Sequence, residues 1–319
     1  MTPKVSVIVA TWNQADTIGR ALDSILAQST DFPYEIIIGE DASPDDTRRV
    51  CEEYAERHPE VIRLMPAAPN KGVTRNYFDC LECARGEYIA DLAGDDRWTD
   101  MTKLQQEADF LDRHPEVVLV HTAWHTCDAS TGNEGNPISL SLPEVEDGHA
   151  TVVRLLRHDK PLPLHLCTSL YRRKDALEVY NAHRDFMRAQ LMEDLTLSCL
   201  LLEGRKVGYI PADTLAYTVG GENSVCAPAD AVRAARFYRN SLDVTCVLAE
   251  MTDTPRRSLT DSLKRLAHYA LSLAILTGRP EEVRSTLAMC RRHKVSLPLK
   301  SYLKRLLFAV RRRFRGRAQ

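Results

Sequence analysis

Long apolar runs are missing from this chain of 319 residues. None approaches the roughly 18 consecutive apolar positions that a spanning helix requires, and Met1 to Val9 lacks the charged-then-apolar plan of a signal peptide, so the expectation is a cytoplasmic protein. No GxGxxG follows the first apolar run, and GxxxxGK[ST] and GxSxG are absent throughout. That removes support for a dinucleotide fingerprint, an NTPase phosphate loop and a nucleophile elbow. The nine cysteines are odd in number and accompany no export signal, which argues for reduced thiols rather than a disulfide framework. Cys80 and Cys83 form a CxxC, but no second CxxC or HxxxH stands at the spacing that closes a zinc site, and His121 and His125 have no ligand partner at such spacing either. Acidic residues are missing from positions 300–319, where Lys300, Lys304, Arg305, Arg311, Arg312, Arg313, Arg315 and Arg317 give +8 and leave 34 basic against 44 acidic residues elsewhere. The tail is a separate electrostatic object.

What is present is the composition of a soluble globular protein, 44% hydrophobic and 27% charged, long enough for one large or two ordinary domains. From Lys4 to Trp124, β-branched runs alternate with amphipathic stretches. Strands are expected at Lys4–Thr11, Tyr34–Gly39, Val61–Met65 and Glu87–Ala93. Between them fall a helix from about Thr17 to Gln28 capped by Asp16, a helix opened by Ser43-Pro44-Asp45-Asp46, and a helix from Val73 to Ala84. This alternation predicts an α/β fold with a mostly parallel sheet covered on both faces, which binds ligands beyond the carboxyl ends of its strands.

After Trp124 the pattern weakens. Cys127–Pro163 reads as a long polar connection, Leu166–Tyr171 as a strand, Phe186–Glu203 as mainly helical, Val207–Ile210 with Thr214–Val219 as a small hairpin, and Gly220–Ser224 as a loop. From Asp230 onward the signal is helical, with Leu259, Leu263, Leu266, Ala270 and Ala274 on one stripe and Gly278 and Pro280 between two helices. A boundary is expected near residue 229, dividing a catalytic domain of residues 1–229 from an all-helical appendage of residues 230–319.

The residues just past the strands are polar and acidic. Asp95 and Asp96 follow the fourth strand, and adjacent carboxylates there would repel each other unless a divalent cation or a sugar hydroxyl offset their charge. Oxygen donors favour Mg or Mn over zinc. Capping of the following helix is the alternative explanation for the pair.

Four ordered blocks, VSVIVATWNQADTIGRALDSIL, EIIIGEDASPDDT, NKGVTRN and GEYIADLAGDDRWTDMTKLQQ, resemble those of family-2 glycosyltransferases. The likeness covers residues 4–125 strongly and 165–225 weakly. It implies a GT-A fold, Rossmann-like, and inverting transfer of a sugar from a UDP-sugar to an acceptor hydroxyl on a carbohydrate or lipid-linked glycan. By position it implies a nucleotide site of Ala10, Thr11, Trp12, Asn13, Asp41, Lys71, Arg75 and Asp95. Within it, Trp12, where the family usually has Tyr, would stack on the base, Asp41 would accept the imide hydrogen, and Asp95 would approach the ribose. Asp96 would hold Mn2+ or Mg2+.

Asp194, in the family's xD block, is implied as the general base with Glu193 as fallback, against the alternative that Asp194 caps a helix. The chain departs from the family where Tyr217 is followed by Thr218-Val219-Gly220 rather than by a Tyr-Arg pair and a metal-binding His. Asp96 is then the sole expected protein ligand to the metal. Leu303, Leu306, Leu307, Val310 and Phe314 share one helical face among the tail's cations, the plan of a helix on an anionic membrane surface, with packing against residues 230–295 as the alternative. Nucleic acid is not expected, because no recognition motif accompanies the charge. A non-catalytic nucleotide-sugar-binding or assembly protein on the same fold stays open as a competing reading, and a nucleotidyltransferase lacks its basic triphosphate loop here.

Overall fold

The computed structural model describes residues 2–221 and 230–298. These divide into two compact units, one of residues 2–155 and 159–221, the other of residues 156–158 and 230–298. The expected tail helix of residues 300–319 and most of the Gly220–Ser224 loop lie outside the described residues.

The first unit begins with β1 (Val5–Thr11), α1 (Ile18–Leu26), β2 (Tyr34–Glu40), α2 (Thr47–Arg57), β3 (Ile62–Leu64), α3 (Val73–Cys83) and β4 (Tyr88–Ala93). It continues with β5 (Arg97–Trp98), α4 (Lys103–Arg113), β6 (Val117–Asp128), β7 (Val145–Asp147), α5 (Gly148–Leu156), β8 (Ser169–Arg172), α6 (Arg173–Arg188), α7 (Asp194–Leu202) and β9 (Lys206–Val219). One sheet runs in the order β3-β2-β1-β4-β8-β6-β9-β5, with β7 also on β9. β3, β2, β1 and β4 are mutually parallel, as are β6 and β9, while β8 joins the two halves antiparallel to β4 and β6. The expected mostly parallel sheet flanked by helices is what forms. The chain leaves β1 toward β2 and returns on the other side of β1 as β4, so a topological switch lies at the carboxyl ends of β1 and β4.

Burial on both faces explains the unbroken apolar reading of β1. Val5, Val7 and Val9 join Ile18, Leu22 and Ile25 of α1 in one core, and Ile8 on the opposite face is equally buried. Each such side chain contributes roughly 1.5–3 kcal/mol.

Several expectations are corrected. The hairpin at 207–219 is a single strand, β9. Thr122 pairs with Ile210 and Ala123 with Asp213, so Pro211 and Ala212 bulge out of the ladder. Proline has no amide to donate, and the strand resumes after it. The connection 127–163 contains β7 and α5, residues 166–168 form a 3-10 turn ahead of β8, and residues 189–193 separate α6 from α7. Thr17, not Asp16, stands at the start of α1, and its hydroxyl donates to the Gly94 carbonyl, 2.8 Å away. α2 begins at Thr47 rather than at Pro44, because Ser43 and Asp45 are spent on the loop that follows β1.

The second unit is helical in all of its described elements: α8 (Ala231–Met251), a 3-10 turn at Arg256–Leu259, α9 (Thr260–Leu276) and α10 (Pro280–Arg292). The expected stripe Leu259, Leu263, Leu266, Ala270 and Ala274 is buried. Gly278, at φ 68°, and Pro280 at the first turn of α10 separate the last two helices.

Candidate active site

The loops after β1 and β2 are laced together by backbone amides and short polar side chains. Asn13, at φ 55° in the left-handed region that Asn tolerates, donates its amide to Ser43 Oγ at 2.9 Å. The amides of Gln14 and Ala15 donate to Thr47 Oγ1 and Asp45 Oδ2. Burial would raise the Asp45 carboxyl, yet bonds from Thr47 and the Ala15 amide hold it below its ordinary range. Ala10 and Trp12 are half-buried beside Thr11, and the Trp12 indole makes no hydrogen bond or ring stack among the described residues.

Asp41 is buried, and its carboxylate accepts the amides of Lys71 at 2.9 Å and Gly72 at 2.8 Å, while its carbonyl accepts Asn70 Nδ2. It thereby fixes the NKG turn to the sheet, and each carboxylate oxygen keeps a second acceptor site. The Lys71 ammonium turns away to Asp79, which also receives Arg188. Burial would raise Asp79, but those two cations pull it below the usual carboxylate range. Arg75, in the first turn of α3, is exposed and has no partner among the described residues.

Gly94 ends β4 against the first loop, where a Cβ would stand 2.6 Å from Thr11 Oγ1 and 2.5 Å from Gln14 Oε1. Asp96 comes next but one and is buried, with Oδ1 accepting the Thr218 amide at 2.7 Å and Oδ2 left without a partner. Burial first, then the charge of Asp95, pushes Asp96 well above the ordinary carboxyl range, and burial raises Asp95 too. Cys167 lies beside this pair, its thiol raised by burial and then by the Asp96 charge.

From there an acidic line continues across β4. Asp91 is fully enclosed beside the mutually bonded hydroxyls of Tyr77 and Tyr171, and burial pushes it up to about 7. Glu193 is pushed up to about 8 by burial, by Asp194 and by Asp91. Asp194 opens α7 with Oδ1 on the Leu195 amide, is open to solvent on one side, and is raised by the protein around its other sides. Asp194 is thus both accessible and closely surrounded by protein. Among the described residues no three His, Cys, Asp or Glu side chains converge to hold a metal.

The sequence reading missed Thr218, Cys167 and Asp91. Only Thr218 left a trace there, at the departure after Tyr217. His165 was also missed: it is wedged between Trp124 and Tyr217 at centroid distances of 4.4 and 4.6 Å, and burial pushes its pKa down to about 3, so it stays neutral. A groove of about 580 Å3 lined by Phe110, Arg113, Leu140, Tyr209 and Pro211 shares none of these residues.

The family model for glycosyl transferase family 2 matches residues 6–178. EpsE of Bacillus subtilis, named as a candidate glycosyltransferase, is 30% identical over 208 residues, 65% of this chain and 69% of its own length. Mycobacterial relatives of uncharacterised function are 46% identical over 115 residues, and the match spans 36% of this chain but only 33% of theirs. Among solved structures, Staphylococcus aureus TarS 1-349 in complex with UDP-GlcNAc aligns at TM-score 0.65 and 20% identity, covering 93% of this chain and 82% of that one. A mannosyltransferase of Pyrobaculum calidifontis in complex with GDP-Man and Mn2+ aligns at TM-score 0.53 and 18% identity, covering 97% and 80%. At those identities the likeness shows the fold.

Proposed function

The chain belongs to glycosyl transferase family 2, and from that premise we propose that it moves a sugar from a UDP-sugar to an acceptor hydroxyl with inversion. One observation carries the reading: Asp95 and Asp96 follow β4 at the topological switch, Asp96 is buried with one carboxylate oxygen unpartnered, and burial raises both carboxyls. Trp12 is open for a base to stack on, Asp41 holds the turn that lies along the base, and the unpaired Arg75 is placed to meet phosphate. Lys71 acts through its amide, since Asp79 takes its ammonium. The UDP-GlcNAc bound to TarS supports a UDP donor.

The orphaned, buried Asp96 Oδ2 fits a hard divalent cation, Mn2+ or Mg2+, as the single protein ligand. When bound, such an ion offsets the charge that gathers on a departing diphosphate. Asp95, beside Asp96, is assigned to the ribose. Asp194 takes the proton of the acceptor hydroxyl, a role worth about 10²–10⁴-fold in rate, and burial raises its carboxyl in the direction that strengthens a base. The acceptor is assigned to a surface polysaccharide, glycolipid or glycoprotein glycan, and residues 300–319 to an anionic membrane surface.

UDP release from a panel of UDP-sugars, measured with and without Mn2+ or Mg2+, tests this. Turnover should require the ion, and Asp194→Asn should abolish turnover while calorimetry shows UDP bound almost as before. Sugar-nucleotide binding without UDP release under any of these conditions would favour the non-catalytic reading instead.

A further inference from the structure

We propose that the helical unit carries a binding site for a phosphate group, separate from the acidic residues of the candidate active site. A cavity of about 200 Å3 lies where the turn before α9 meets the segment after α10, and Arg256, Arg257, Lys264 and Lys294 line it together with Thr260 and Ser296. No carboxylate lines it. Of the four cations, only Arg256 has a side-chain partner among the described residues: it donates to the His293 carbonyl, approaches Cys246 Sγ at 3.8 Å and meets Glu250 at 3.7 Å. Those contacts hold the guanidinium in place and leave it fewer rotamers to lose when a ligand arrives.

Lys294 reaches the cavity from a backbone held at φ 53°, a left-handed position that glycine fills more easily. Its amide and that of Val295 close α10 onto the Arg291 and Cys290 carbonyls, at 3.1 and 2.8 Å. The lysine at this strained position lines the same cavity as Arg257 and Lys264. Arg257, Lys264 and Lys294, which have no acid of their own among the described residues, disfavour the empty state, and a tetrahedral phosphate oxyanion, singly charged in a phosphodiester or doubly charged in free phosphate, lowers that cost. Its oxygens match the forked donors of two arginines and the point charges of two lysines. The volume is ample for a phosphate group. Inorganic phosphate and a phospholipid headgroup share this chemistry.

The test uses the full chain and two soluble probes, inorganic phosphate and monomeric short-chain phosphatidylglycerol below its micelle concentration, titrated by calorimetry. Arg257→Gln combined with Lys264→Gln should weaken whichever probe binds about tenfold or more, and Arg284→Gln, an exposed cation outside the cavity, should leave it unchanged. A response to phosphate alone identifies a soluble source, and a response to the lipid alone a membrane one. Equal affinity in the double variant, or no binding of either probe at millimolar concentration, would overturn the proposal. Loss of probe binding in Arg75→Gln would also overturn it, because the anion would then sit at the proposed donor site. Loss of UDP-sugar turnover bears only on the preceding reading and leaves this one standing. Arg257 is exposed and Lys264 half-buried, and thermal melts of the double variant confirm that the fold is intact.

Discussion

Asp91 is the residue on which the chemistry and stability of the acidic site most directly meet. It occupies a central parallel strand with no cation in hydrogen-bond contact, and burial holds its carboxyl near 7. An unfolded Asp titrates at about 4. Between those values the folded protein binds the extra proton, so stability is greatest below pH 4 with respect to this group and is lost as pH rises toward 7. Asp91→Asn removes that dependence. Stabilities should nearly coincide at about pH 3, below the unfolded value, and at pH 8 the variant should be the more stable by about 4 kcal/mol. A variant that melts lower at pH 8 would show that the ionised carboxylate is stabilised in the fold. Nothing in the local sequence marks Asp91, because its neighbours Tyr77 and Tyr171 come from α3 and β8 and converge only in the folded sheet. The Thr218 bond to Asp96 spans 122 positions for the same reason. Asp95 and Asp96, by contrast, were legible as adjacent acids past a buried strand.

At the scale of elements, β1 through β4 could be read from the chain because each strand is buried on both faces and each helix shows a single apolar stripe. β9 could not, since Pro211 looks like a chain break until its neighbour β6 supplies the ladder on both sides of the bulge. The capping signals before α2 were real but spent elsewhere: Ser43 and Asp45 hold the β1 loop, and the helix starts later. Gly94 ties the same loop to β4. In Gly94→Ala the new methyl meets Thr11, whose β-branched side chain has little room to turn. The expected cost is about 1–3 kcal/mol, read as a lower Tm, together with a raised KM for the UDP-sugar because Trp12 and Asn13 ride on that loop. An unchanged KM would separate the loop from donor binding.

Charge divides the whole molecule more sharply than its net of -2 shows. Residues 1–229 carry 22 basic and 37 acidic residues, whereas residues 230–319 carry 20 basic and 7 acidic. No helix among the described residues is long and apolar enough to cross a membrane. Attraction of basic residues to anionic lipid is worth about 1 kcal/mol per Lys or Arg near the surface and decays within a Debye length. Eight such residues in 300–319 would dominate the binding, and their removal still leaves 12 basic residues against 7 acidic ones in 230–299. Flotation with phosphatidylglycerol vesicles should therefore be strong at low salt, weaken steeply as salt is added, and largely disappear when residues 300–319 are deleted. Neutral phosphatidylcholine vesicles should not recruit the full chain. If the deleted protein floats as well as the intact one, the tail is not the membrane contact, and packing against the helical unit becomes the better account of its apolar face.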